Sequence, residues 1–277
     1  AEPSGEVYVF IAASLANAME DIQKDFNQKY PDVEIFYNAD SSGTLQTQIE
    51  EGSRCDIFFS AATKQMDALV EEKLAKEESV VNLLENKVVL IKTKDTETRV
   101  TGFENITEAE NLALAGEDVP VGQYAREIFT NLDIMDQVEA MEINEGKNVT
   151  EVLAAVTQGS NEVGVVYATD AASVADQVEI IAEASSDMLE TPVLYPVGMI
   201  EDEEALPEEK VAAETFFEYL QTENALKVFE EHGFSPYTAE VEENDTEEAE
   251  DTQADQKTDS EAEETGEAST EQEKTAE

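Results

Sequence analysis

Residues 7–37 read VYVFIAASLANAMEDIQKDFNQKYPDVEIFY, and the periodicity changes twice along that stretch. Residues 7–13 (VYVFIAA) form a short unbroken apolar run, the pattern of a strand covered on both faces. Leu15, Met19, Ile22, Phe26 and Tyr30 then recur at helical spacing, with Ser14 placed to cap that helix. Residues 33–37 (VEIFY) return to the strand pattern. Strand, helix and strand within about thirty residues is the unit from which parallel sheets are built.

The alternation continues outward. Ser41-Ser42-Gly43 opens a short helix carrying Leu45 and Ile49; residues 56–60 (DIFFS) read as a strand, and Met66, Leu69, Val70 and Leu74 as the next helix. Further strands are expected at 87–91, 112–115, 138–143, 163–167 and 178–182, and helices at 121–132 and 149–158. Residues 193–200 lead to two closing helices. The first starts at Pro207, a residue favoured at the first helical position; the second is capped by Thr222 and ended by Gly233. The expected fold is α/β, two-lobed, each lobe a mostly parallel sheet flanked by helices.

Charge narrows the function. The 277 residues include 66 Asp and Glu against 16 Lys and Arg, a formal net charge of −50. Residues 238–277 hold 17 acidic and 2 basic residues and no aromatic one. Such a stretch cannot bury enough apolar surface to offset an ordering cost of about 1–2 kcal/mol per residue, so it is expected to be a disordered acidic tail. The remainder still carries −35. Nucleic-acid backbones and anionic membranes are poor partners for such a surface. One cysteine, Cys55, and one histidine, His232, remove disulfides, multi-cysteine metal sites and two-imidazole chemistry. No apolar run approaches membrane-spanning length. The opening Ala1-Glu2-Pro3-Ser4-Gly5, without Met, reads as a mature or trimmed chain whose export signal has been removed, with any lipid anchor lying upstream.

Four strand-to-helix turns carry candidate chemistry: Ala12-Ala13-Ser14-Leu15, Asp40-Ser41-Ser42-Gly43-Thr44, residues 119–124 (VPVGQY), and Asn148-Val149-Thr150-Glu151. In α/β sheets ligands bind beyond the carboxyl ends of strands, where helix starts present unpaired N–H groups and partial positive charge. Several such starts converging would bind an anion, with Ser14 and Ser42 adding hydroxyls. None of these turns contains Lys or Arg, apart from Arg126 one turn into its helix. Neutral donors suffice for a dehydrated oxyanion. Taken singly, each turn reads first as an ordinary helix cap and only second as a ligand contact.

In collinear order over residues 6–237, the stretches VFIAASLANAMEDI, SSGTLQTQIEEG, CDIFFSAATKQMDAL, VPVGQYAREIF, NVTEVLAAVTQG, VGVVYATDA and YPVGMI resemble the molybdate-binding proteins of ABC transporters. That resemblance implies a two-lobed periplasmic-type receptor that closes on molybdate or tungstate without a cofactor or catalysis. It implies an extracytoplasmic monomer that delivers the anion to a membrane permease. By position, Ser14 and Ser42 would bind the oxyanion through hydroxyls, Val121 and Val149 through backbone N–H groups, and Tyr167 through its phenol. Lobe I would comprise residues 1–84 with 196–237, and lobe II residues 85–195. Two departures stand out: Val121 replaces the common alanine and Gly43 a common serine. Asp40 puts an acid beside the site and must point away from a dianion.

Two other functions compete. A receptor for sulfate or another tetrahedral oxyanion would use the same turns. A serine hydrolase would need a base, but the sequence has no G-x-S-x-G elbow, and His232, near a helix end, is expected far from both serine turns. Cys55 is expected to pack as a small apolar residue. Glu71-Glu72, Glu77-Glu78 and Glu203-Glu204 are expected on solvated faces.

Overall fold

The central strands of this chain are apolar on both sides because both sides are covered. In the computed structural model, which describes residues 2–117, 119–202 and 205–238, β1 (Gly5–Ala12) sends Val7, Val9 and Ile11 into one apolar cluster and Phe10 into another. That is the physical content of the unbroken run at its start. The chain continues through α1 (Ala16–Lys29), β2 (Val33–Asp40), α2 (Ser42–Glu50), β3 (Ile57–Phe59), α3 (Thr63–Glu71), β4 (Val81–Asn86) and β5 (Val88–Thr93). Then come β6 (Asn111–Ala115), α4 (Pro120–Asn131), α5 (Met135–Glu139), β7 (Glu142–Gly146), α6 (Val149–Thr157), β8 (Val163–Tyr167), α7 (Ala168–Ser173) and β9 (Val178–Glu183). β10 (Val193–Met199), α8 (Pro207–Leu220), α9 (Glu223–Glu231) and the two-residue β11 (Ser235–Pro236) complete the unit, which ends at Thr238. The expected tail lies outside the described residues apart from Thr238, as does the pair Glu203-Glu204.

Two sheets result, ordered β11-β4-β10-β3-β1-β2 and β7-β6-β8-β5-β9. The first is covered on one face by α1, α8 and α9, whose Phe26, Phe216 and Phe229 meet Phe59 and Val197, and on the other by α2 and α3 through Leu45, Ile49, Met66 and Leu69. The second is covered by α4 and α5 on one face, through Ile128, Phe129 and Val138, and by α6 and α7 on the other, through Val152, Val156 and Ala171. Phe26 and Phe216 meet edge to face, with ring centroids 4.9 Å apart, a geometry that adds to simple burial.

The two-sheet α/β architecture is as expected, but the pairing is mixed rather than mostly parallel. β1 runs parallel to β2 and β3, and β6 parallel to β7 and β8. The strands by which the chain changes sheets run against their neighbours: β10 is antiparallel to β3 and β4, and β5 to β8 and β9. A strand that arrives from the other sheet needs no helical crossover, so the constraint favouring parallel pairing is lifted there. The chain leaves the first sheet at Asn86 and returns to it at Val193, a little outside the residue-84 and residue-196 limits read from the sequence.

One strand expectation fails. Val138 was expected to open a strand at 138–143, yet it lies in α5, fully buried, with its N–H donating to Ile134 O at 3.0 Å. The strand begins later, at Glu142. β7 is an edge strand and its EINEG sequence is mostly exposed, so its apolar signal is weak and the neighbouring helical valine supplied a false one.

Candidate functional site

Parallel register brings the strand ends level. Ala12 pairs with Asp40 where β1 and β2 finish, and Ala115 with Gly146 where β6 and β7 finish. The five residues expected to bind an oxyanion all lie at or just beyond such ends. Ser14 follows β1, Ser42 follows β2, Val121 follows β6, Val149 follows β7, and Tyr167 is the last residue of β8. This is the edge at which α/β sheets bind ligands.

Ser14 departs from its expected capping role. It sits in a single 3-10 turn, Ala13–Leu15, and caps neither that turn nor α1. Its hydroxyl instead lies 2.9 Å from Tyr195 Oη. Ser41 is the cap of α2, accepting the Thr44 N–H at 3.2 Å. Ser42, the first residue of that helix, accepts the Ala61 N–H at 2.9 Å, which joins the starts of two loops. With a lone pair so occupied, its own proton is available to a ligand. The Asp40 carboxylate turns back to accept the Ser41 N–H at 2.7 Å.

In the second half, α4 and α6 offer backbone groups. α4 has no side-chain cap and begins with Pro120, which lacks an N–H, so the N–H groups of Val121 and Gly122 have no acceptor within the helix. Val121 as a whole is buried, its side chain in the core beneath. A Cβ on Gly122 would come within 2.2 Å of Gly116 O and 2.4 Å of Ala115 O, so only glycine lets this first turn sit on the end of β6. α6 is capped by Asn148, which accepts the Glu151 N–H at 2.9 Å and leaves the N–H groups of Val149 and Thr150 unused by the helix. Glu151 reaches past the cap to Lys147 N, at 2.8 Å, rather than closing the box on Asn148.

Tyr167 packs against the core clusters of both sheets, and Tyr124 from α4 lies edge-on to it at 6.5 Å. Burial pushes the Tyr167 phenol well above its ordinary range, so it keeps its proton and can donate. Its backbone N–H donates to Asp170 Oδ2 at 2.9 Å. Asp170 is itself pushed up to about 6 by burial, which that N–H partly opposes.

The structure brings Val121, Val149 and Tyr167 onto one apolar cluster. Ser14 connects to the second half through buried polar groups that the sequence did not single out. Tyr195 Oη is 3.3 Å from Asn86 Nδ2, which also donates to Thr169 Oγ1 of α7 at 3.0 Å. Among the described residues no hydrogen bond links Ser42 directly to the other four. A cavity of about 350 Å³ opens beside Ser14, with Asn17, Glu231 and His232 from the first half and Thr169 and Ser173 from the second; the other four residues do not line it. A cavity of about 440 Å³ between α7 and α9 holds none of the five.

Charged groups are engaged elsewhere. Arg126 Nη1 donates to Ala115 O at 2.7 Å and Gly122 O at 2.9 Å, fastening α4 to the sheet. Arg54 lies over the Tyr8 ring at 4.4 Å and pairs with Glu209 at 2.8 Å and Asp202 at 3.2 Å, near the amino ends of β1 and β3 and away from the site. His232 is a correction to the sequence reading: it shares a cavity with Ser14 rather than lying far away. Its Nε2 is nevertheless 3.0 Å from Asp21 Oδ2, while Ser14 faces Tyr195, so this histidine is not hydrogen-bonded to Ser14 as a base. Cys55 is buried and packs in the apolar cluster under α2 and α3, as expected.

Two sheets joined by two crossings, with hydroxyls and helix starts at their carboxyl ends, define the class of two-lobed solute-binding receptors. Among the described residues no helix is long and apolar enough to cross a membrane, and no acidic, His or Cys cluster could hold a metal ion. The chain belongs to the bacterial extracellular solute-binding protein family, which it matches over residues 7–235. A Bacillus subtilis relative, provisionally named as an ABC transporter substrate-binding lipoprotein, is 41% identical over 226 residues, or 81% of this chain and 84% of that one. The molybdate-binding protein ModA of Haemophilus influenzae is 35% identical over 238 residues, 84% of this chain and 91% of that one. A solved Clostridium difficile domain, provisionally described as the substrate-binding part of a molybdenum ABC transporter, superposes with a TM-score of 0.76 at 34% identity, covering 84% of this chain and 99% of that one.

Proposed function

We propose that this protein is an extracytoplasmic receptor that captures molybdate, or its near-isostere tungstate, between its two lobes and presents it to the permease of an ABC transporter. The lobes correspond to the two sheets, and the strands between them form the hinge. Ser14 and Ser42 donate hydroxyl protons from the first lobe. Val121 and Val149 donate backbone N–H groups from the second, and Tyr167 its phenol proton. Because the donors belong to both lobes, the anion favours whichever arrangement lets all of them reach it, and that arrangement is what the permease reads.

The observation that carries this reading is the polarity of the site. The Ser42 lone pair is filled by the Ala61 N–H, the helix starts offer only N–H groups, and Arg126 is committed to carbonyls. The donors named at the site are therefore uncharged hydrogens, which suits an oxyanion that has shed every proton and its water. The body's charge of −35 makes such local, directional donors necessary, since the general field repels anions.

Calorimetric titration with molybdate, tungstate, sulfate and phosphate in parallel tests it. Tight binding of the first two and weak or absent binding of sulfate and phosphate is the expected result. Equal binding of sulfate and molybdate would replace this reading with that of a general tetrahedral-oxyanion receptor, and no heat with any of the four would remove both.

A further inference from the structure

We propose that Asn86 and Tyr195 form a positioning relay that holds the Ser14 hydroxyl as an obligate hydrogen-bond donor to the oxyanion. The inference rests on the function proposed above and deepens it. Both residues stand on the strands by which the chain changes sheets: Asn86 ends β4, and Tyr195 sits in β10 at a bulge between Tyr195 and Pro196. A bulge bends a strand and re-aims a side chain. Both residues are buried, at 2% and 4% exposure.

With the Asn86 Nδ2 turned toward Thr169 and Tyr195, the protons can be followed one by one. The two amide hydrogens of Asn86 go to Thr169 Oγ1 at 3.0 Å and Tyr195 Oη at 3.3 Å. Tyr195 therefore accepts from Asn86, and burial keeps its phenol protonated. Among the described residues the one acceptor in reach of that proton is Ser14 Oγ, at 2.9 Å. One lone pair of the Ser14 oxygen is thus filled, and its own proton is left for the cleft. Ser42 reaches the same state by accepting the Ala61 N–H. Asn86 Oδ1, by contrast, is buried with no hydrogen-bond partner. An unpaired buried acceptor is uncommon, and it marks this amide as placed for its donors rather than for its carbonyl.

A serine locked as donor has a consequence for selectivity. A protonated oxyanion such as hydrogen phosphate must give its proton to an acceptor, and each serine, with one of its two lone pairs filled and its own proton turned to the ligand, is a poorer one. A fully deprotonated dianion meets no such conflict. The relay also runs from Ser14 in the first half to Thr169 on α7 in the second, so its members must keep register across the crossing strands.

A double-mutant cycle read by titration with molybdate tests the proposal. Tyr195→Phe is expected to weaken binding about 2- to 12-fold, the net worth of a neutral hydrogen bond. In a Ser14→Ala background the same change should have less than about a 2-fold effect, whereas in a Ser42→Ala background its effect should multiply. Tyr195→Phe should also narrow the ratio of molybdate to phosphate affinity near neutral pH, because Ser14 becomes free to accept. Equal penalties in both serine backgrounds, or no penalty in the wild-type background, would overturn the relay. Should Tyr195→Phe fail to fold, Asn86→Leu carries the same cycle with the same expectations. A wild-type protein that gives no heat with molybdate refutes the proposed function itself; a wild type that binds but shows no Tyr195–Ser14 coupling refutes the relay alone.

Discussion

Replacing Gly122 with alanine should damage binding through a single backbone hydrogen bond. The new Cβ would stand 2.2 Å from Gly116 O and 2.4 Å from Ala115 O, where real contacts do not fall below 3.0 Å. Something must move by about 0.8 Å. The carbonyl side is pinned: Ala115 O holds Arg126 Nη1 at 2.7 Å, and the Gly116 N–H donates to Gly146 O at 3.0 Å. The first turn of α4 is therefore what shifts, and with it the Val121 N–H. A bond of about 2.9 Å stretched by that much passes the limit at which it counts as one. A hydrogen bond to a charged group contributes about 1.5–3 kcal/mol, so the molybdate Kd should rise about 10- to 150-fold. Overpacking adds a stability loss of about 1–3 kcal/mol, so affinity must be measured well below the melting temperature, with circular dichroism confirming the fold. A folded Gly122→Ala protein with wild-type affinity would refute both the Val121 donor and the close approach that positions it.

Other perturbations read different parts of the structure. Ser42→Ala removes a hydroxyl donor and strands the Ala61 N–H, so calorimetry should show about a 10- to 150-fold weaker Kd for molybdate. Asp56, buried and accepting the Tyr8 N–H at 2.7 Å, is pushed up to about 6 by burial from an ordinary 3.8. Between those values the folded state holds a proton that the unfolded chain has lost, so stability falls as pH rises from about 4 to about 6, by up to about 3 kcal/mol. Urea melts of Asp56→Asn, which keeps an acceptor for Tyr8, should show a shallower fall over that window. Asp170, raised to about 6 beside Tyr167, becomes a carboxylate near the donors above that pH. Molybdate affinity should weaken several-fold from pH 5 to pH 7.5 in the wild type and much less in Asp170→Asn, by titration at each pH.

What could be read in the sequence was what depends on local pattern. The run at 7–13, the helical spacing from Leu15 to Tyr30, Pro207 at a helix start and Gly233 at a helix end are each set by neighbours along the chain, and each appears in the structure. The antiparallel crossings were not visible, because β5 and β10 are apolar on both faces whichever way they run. Ser14 was read as a cap because serine before a helical pattern usually is one. Its actual partner, Tyr195, is 181 residues away, and no periodicity carries such a pairing. Asn86 was hidden for the same reason, as an ordinary polar residue closing a strand whose VNLLEN sequence is broken by asparagines. The five candidate ligand residues were reached by family resemblance, with helix-start chemistry as support. The structure adds how their lone pairs and neighbours are arranged.

The central claim is that uncharged hydrogens from both lobes hold a doubly charged oxide. A crystal grown with tungstate, measured at the tungsten absorption edge, tests it most directly. The account predicts one anomalous peak between the sheets, surrounded by oxide oxygens within hydrogen-bond distance of Ser14, Ser42, the Val121 and Val149 N–H groups and Tyr167. A peak held instead by lysine or arginine side chains, or no peak between the sheets at saturating tungstate, would contradict it.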